Sequence, residues 1–210
     1  MIKKRFLSML VLLAAVATGA WAQTYKVSVK EGTTDATSWT ITPAEATLED
    51  IGKIAGADGN IYDSKDAAEA ANTTAVAMIA YVGSSTDHAT YKHGLAIALS
   101  DDTSGSNWST AMSTIEGKSA VTNAAWQLPS QNQWKAMFKA FGDNEASYSG
   151  LNSAITTAEG AALQEDAYYW ASSEYDADNA WNVHPLDGST NLYYYSKDYD
   201  FFKGRACLAF

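Results

Sequence analysis

Twelve side chains between positions 175 and 199 are of the types that hold another molecule: Tyr175, Asp176, Asp178, Asn179, Asn182, His184, Ser189, Asn191, Tyr193, Tyr195, Asp198 and Tyr199. Tyrosine offers large, rigid, amphipathic contact area at low entropic cost, and short polar side chains add adaptable hydrogen bonds. From Tyr168 to Lys203, 19 of 36 residues are Tyr, Asn, Asp or Ser. That bias is absent from the helix-bearing half upstream, so the segment has a separate task. Successive strand residues face opposite sides, so Tyr193, Tyr194 and Tyr195 cannot all be contacts, and at least one packs inward.

Reactive chemistry finds less support. Asp176 with Asp178, or Asp198 with Asp200, is a pairing that a glycan hydrolase could use as acid and base, but sequence does not set the separation that chemistry needs. His88, His93 and His184 lie at neither i+3 nor i+4 from one another or from Cys207, so no zinc pattern forms. Tyr193-x-x-x-Lys197 has the spacing of one dehydrogenase family, yet no strand followed by Gly-x-Gly-x-x-Gly is present to hold its cofactor. Gly83-Ser84-Ser85 lacks the second glycine of a nucleophile elbow. The oxygen-rich stretch 101–107 lacks the alternating ligands and closing glutamate of an EF-hand and reads as a solvated turn. No catalytic residue, metal ligand or cofactor site is assigned.

The elements that must position the twelve side chains follow from patterning. Lys3, Lys4 and Arg5 precede an apolar run at 6–16, and Ala20-Trp21-Ala22 follows, the pattern of a signal peptide cleaved after Ala22. A spanning helix needs about 20 apolar residues, so no integral membrane segment is expected after cleavage. No cysteine follows the cleavage site to carry a lipid. The exported chain, expected in the periplasm, at the cell surface or secreted, has 24 acidic against 11 basic residues. That charge repels nucleic acid and anionic membranes. A β-hairpin-like leader is expected over 23–50, where Tyr25, Val27 and Val29 alternate with polar residues, and one principal domain over 51–210. Ser64 caps a short helix at 65–71, and the apolar runs 75–82 and 94–99 suit central strands buried on both faces. Helices are expected at 109–116, 131–141 and 151–158. The second has a capping-box pair in Ser130 and Gln133, an apolar stripe of Trp134, Met137, Phe138 and Phe141, and a stop at Gly142. Short strands at 169–173, 180–183 and 191–195 follow. Cys207, inside an apolar terminal run, is expected to be buried and inert.

Four segments carry a family resemblance: Trp126-Gln127-Leu128-Pro129-Ser130-x-x-x-Trp134, Tyr169-Trp170-Ala171-Ser172-Ser173-Glu174, Ala180-Trp181-Asn182-Val183 and Gly204-Arg205-Ala206-Cys207-Leu208-Ala209-Phe210. Their order resembles the C-type-lectin-like domains related to the formylglycine-generating-enzyme fold, over 108–210. The resemblance implies an α+β fold of short twisted antiparallel strands with two or three helices, preceded here by the β leader. Trp126, Trp134, Trp170 and Trp181 are then expected in the core. Calcium-dependent lectins of this fold use Trp-Asn-Asp with a Glu-Pro-Asn or Gln-Pro-Asp loop. Here Val183 follows Trp181-Asn182 and neither tripeptide occurs, so calcium-independent binding is expected. Formylglycine-generating enzymes of the cysteine-dependent type need two cysteines, and Cys207 stands alone.

The chain is more similar still to the exported variable proteins of bacterial diversity-generating retroelements. Their carboxy-terminal repeat is rewritten at adenines, which turns asparagine codons into Tyr, Asp, Ser and His codons on a constant scaffold. The variable-looking region is 168–203. The expectation is an exported, non-enzymatic protein whose carboxy-terminal loops recognise a protein or glycan ligand. The alternatives are a periplasmic carboxylate-pair hydrolase and a structural subunit of a surface fibre, in which the leader supplies strand pairing.

Overall fold

The computed structural model describes residues 46–142, 149–186 and 189–210, with backbone alone for 186 and 189–192. The expected signal peptide, most of the expected leader and Asp187 lie outside the described residues.

The apolar runs form β3 (Ala75–Val82) and β4 (Gly94–Ala98), and both lack polar alternation because both of their faces are covered. Met78 and Ala80 enter a cluster with Trp134, Met137 and Phe138, whereas Ala77 and Ile79 enter a second with Val121 and Leu208. These strands lie inside a six-stranded sheet ordered β2-β1-β3-β4-β11-β6, with β1 at Ile54–Gly56, β2 at Ile61–Tyr62, β6 at Ala125–Gln127 and β11 at Cys207–Ala209. The terminal strand is an insertion rather than a tail. Cys207 sits opposite Ile97 on one side and Gln127 on the other. Burial there pushes its free thiol well above the usual range.

A five-stranded sheet ordered β5-β10-β7-β8-β9 holds the polar, tyrosine-rich segment. Its strands are β5 (Thr103–Ser106), β7 (Tyr169–Glu174), β8 (Asn179–Leu186), β9 (Ser189–Ser196) and β10 (Phe202–Gly204). One pairing corrects the expectation of antiparallel strands throughout: β10 runs parallel to β7, with Lys203 opposite Tyr169. After β9 the chain crosses over 197–201 and enters between β5 and β7 instead of folding back on β9.

Among the described residues, four helices rather than the two or three that the resemblance implied complete a mixed α+β architecture: α1 (Lys65–Ala70), α2 (Trp108–Glu116), α3 (Gln131–Ala140) and α4 (Ser149–Thr157). Local capping sets their starts. The Ser64 hydroxyl accepts from the Ala67 amide at 3.1 Å. Asn107 accepts from the Thr110 amide at 2.9 Å, so α2 begins at Trp108, one residue before the expected start. In α3 the capping box closes both ways: Ser130 Oγ accepts from the Gln133 amide at 3.1 Å, and Gln133 Oε1 accepts from the Ser130 amide at 2.6 Å. Gly142, at φ +76°, ends that helix in the left-handed region that glycine tolerates.

The stretch 101–107 is no solvated turn. Arg205 is fully buried, and a buried guanidinium needs a carboxylate. Asp101 supplies it, accepting from Arg205 Nε at 2.8 Å while its second oxygen takes Lys203 Nζ at 2.9 Å. Arg205 Nη1 also donates to the Ala161 carbonyl at 2.6 Å. Asp102 accepts from the Ala206 amide at 2.7 Å and pairs with Lys118. Two adjacent carboxylates therefore anchor the Gly204-Arg205-Ala206 segment that connects the two sheets.

Candidate functional site

Register decides which tyrosines meet. β8 and β9 pair over eight rungs, placing Trp181 opposite Tyr194, Asn182 opposite Tyr193 and Ala180 opposite Tyr195. Alternation then sends Tyr194 to one face of the sheet and Tyr193 with Tyr195 to the other.

On the first face Tyr175 and Tyr194 stack in parallel, 3.7 Å apart and 4° from coplanar, and each is 48% exposed. Trp181 meets both edge-on, at 5.4 and 5.8 Å, and is half-buried beneath them instead of being a full core residue. The hydrogen bond to Tyr194, and then the charge interaction with it, raises the Tyr175 hydroxyl pKa. Lys197 braces this corner. Its ammonium donates to Glu174 at 2.7 Å and to the carbonyls of Asp176 and Ala177 at 3.0 and 2.7 Å, and lies 5.1 Å from the Trp108 ring centre.

The second face is closed by a stack. Tyr168 lies between His184, 3.9 Å away at 10°, and Phe202, 4.6 Å away at 14°, with Tyr195 edge-on to both Tyr168 and Phe202. The hydrogen bond with Tyr195, followed by burial, pushes the Tyr168 hydroxyl up to about 12. Burial lowers the His184 pKa, against a smaller opposing pull from Asp166. Beyond the stack, Tyr193, Tyr199 and Phe201 are exposed, and the last two rings stack 5.3 Å apart.

The twelve expected contacts thus divide. Tyr175, Asp176, Asp178, Tyr193, Asp198 and Tyr199 are exposed, and Asn179 and Tyr195 are half-buried. Ser189 and Asn191 lie on β9, their side chains outside the described set. Asn182 and His184 lie inside the fold, not on its surface. Asn182 shares the Trp170 and Tyr193 rungs, is 0% exposed, and neither its amide nitrogen nor its oxygen has a partner among the described residues. Each such orphan costs about 1–3 kcal/mol. Asn182→Leu is therefore expected to hold or raise the thermal unfolding midpoint followed by circular dichroism. A lower midpoint would show that the amide makes a bond that stabilises the fold.

Carboxylate chemistry is poorly served here. Asp176 accepts from the Asp178 amide, the Asn179 amide and the Asn179 side chain at 2.8–2.9 Å, and the Asn179 side chain leads in holding its carboxyl below the usual range. It is a turn-former, ill suited to donate a proton. Val183 is buried in the core cluster with Tyr169 and Trp134. Among the described residues, no three His, Cys, Asp or Glu side chains gather closely enough to hold a metal ion.

Tyr194, Trp181 and Phe201 belong to this surface but were not among the twelve. Register alone exposes Tyr194. Phe201, flanked by Asp200 and exposed at 60%, had a local signal in its acidic neighbour.

No helix among the described residues is long and apolar enough to cross a membrane. No protein-family model and no curated protein matches the chain. Among solved structures, a fimbrial protein from Bacteroides ovatus ATCC 8483 aligns with a TM-score of 0.51 over 76% of this chain, at 14% identity. The chain spans 48% of that protein's length, and the likeness between them is one of fold.

Proposed function

We propose that the chain is an exported, non-enzymatic binding protein with a C-type-lectin-like domain, and that the β7–β9 side of its second sheet recognises a protein or glycan ligand without calcium. The stacked Tyr175–Tyr194 pair carries this reading. Two large rings, each nearly half exposed, are held in fixed orientation over Trp181 and buttressed by Lys197. A pre-ordered aromatic patch of this kind loses little entropy on contact. Strand backbone fixed by β8 also suits a scaffold whose outward side chains vary, as in retroelement-diversified proteins.

A second reading, a structural subunit of a surface fibre, draws on the fold likeness to a fimbrial protein. The two readings separate in one experiment. The exported chain is screened against a glycan array and a panel of extracellular proteins, with and without EDTA, and its self-association is followed by sedimentation. Under the binding reading, Tyr175→Ala with Tyr194→Ala weakens capture by roughly 30-fold, the scale of a hot spot of about 2 kcal/mol. The melting curve and the EDTA result stay unchanged. Concentration-dependent polymers with no captured ligand would favour the fibre.

A further inference from the structure

β9 is the outer strand of its sheet, and among the described residues no strand pairs with its free edge. It is regular along its whole length, with eight rungs to β8 and no bulge. The Lys197 amide donates to the Asp178 carbonyl at 2.9 Å, and this sets the alternation. The backbones of Ser189, Asn191, Tyr193 and Tyr195 face β8, and those of Thr190, Leu192 and Tyr194 face outward. Proteins usually blunt such an edge with lysine, proline or a bulge, because unpaired amides and carbonyls template another strand. The run Ser-Thr-Asn-Leu-Tyr-Tyr-Tyr-Ser has no charge and no proline.

The flanks of the edge are shaped for side chains. Tyr194 and Tyr175 are exposed on one face and Tyr193 on the other, so alternate residues of an added strand would meet tyrosine on both faces. Charge is concentrated at the Ser196 end. Asn179 pairs with Ser196 there, and Glu174, Asp176, Asp178, Asp198 and Asp200 are exposed around that corner. The cation among them, Lys197, is already held by Glu174 and two carbonyls.

We infer that β9 takes up an extended polypeptide segment by backbone pairing, with β-branched or apolar side chains over the tyrosines and a lysine or arginine at the Ser196 end. This rests on the ligand-binding reading above and narrows its ligand to polypeptide in β conformation. A second copy of the chain fits less well, because the excess of acidic residues in the exported chain, 24 against 11 basic, sets copies against one another.

The probes are short synthetic peptides added to the exported chain: an alternating Val-Thr peptide with lysines at one end, its glutamate counterpart, and the lysine peptide with a central proline. Affinity is read by fluorescence anisotropy, and the site by amide hydrogen exchange over 189–196. The lysine peptide is expected to bind and to slow exchange at Thr190, Leu192 and Tyr194. The glutamate peptide binds at least about tenfold more weakly, from reversed charge at the acidic corner, and the proline peptide fails to bind. Leu192→Pro, which removes an outward donor, loses the lysine peptide.

Equal binding of the proline and lysine peptides, or unchanged exchange on β9, overturns the inference. So does protection of β9 by self-association without peptide. If Leu192→Pro does not fold, the proline peptide still decides the matter. A ligand that is lost on Tyr175→Ala with Tyr194→Ala but retained by Leu192→Pro would leave the binding reading standing and remove strand addition.

Discussion

Arg205→Ala is expected to remove about 3–5 kcal/mol of unfolding free energy, the cost of stranding the partners of a buried ion pair. Small domains have only about 5–15 kcal/mol in total. With a urea slope of about 2 kcal/mol per molar, the unfolding midpoint falls by roughly 2 M. The magnitude follows from what the guanidinium holds. It is completely buried, its Nε and Nη2 both engage Asp101, and its Nη1 satisfies the Ala161 carbonyl after α4. Removing it leaves Asp101 with Lys203 and a long bond from the Tyr169 hydroxyl, and takes the guanidinium donor from that carbonyl. Asp101→Asn is expected to be costly too, since the buried cation then loses its counter-charge. A loss below about 1 kcal/mol for either variant, in the range of exposed ion pairs, would show that water reaches the network.

Trp170→Ala is expected to cost a further large amount, about 3–5 kcal/mol by the general behaviour of buried aromatics. The indole is 0% exposed and packs 4.5 Å from the Phe202 ring, in a cluster with Ala111, Ile115, Leu128 and Ala180. Its Nε1 donates to the Ser106 carbonyl of β5 at 2.9 Å, a bond that connects β7 to the opposite edge of the sheet. Trp170→Phe retains most of the packing and strands that carbonyl, so a loss nearer 1–2 kcal/mol is expected, roughly the cost of one unpaired buried acceptor. Chemical denaturation of both variants checks the ratio. If phenylalanine were as damaging as alanine, shape rather than burial would dominate the site. Trp181→Ala, at a half-buried position, serves as the mild comparison.

Much of the fold was legible because its signals are local. α3 is the clearest case. Ser130, Gln133, the stripe from Trp134 to Phe138 and Gly142 all lie within a few residues of one another, and a helix is held by contacts at i+3 and i+4. β3 appears over 75–82 as expected, because an unbroken apolar run of that length has few other uses. The same locality explains α1, whose single capping hydroxyl suffices to start it. The bias toward Tyr, Asn, Asp and Ser marked the segment that forms the tyrosine-bearing strands of the second sheet, and the need for one tyrosine to pack inward is met by Tyr195 against Phe202.

What stayed hidden depends on partners distant in sequence. Asp101 and Asp102 look like turn residues until Arg205, more than a hundred positions away, arrives between the sheets. Tyr194 rather than Tyr195 forms the exposed stack because the β8–β9 register places it opposite Trp181 and beside Tyr175. A shift of one residue would exchange the faces. Asn182 has the composition of a contact and the position of a core residue, a difference that only the neighbouring strands create. Composition and periodicity thus determined which segments become helices and strands and which region is rich in recognition chemistry, because both are read from neighbours along the chain. Tertiary structure alone decided which of those side chains face water, since exposure is a property of strand register and of long-range ion pairs.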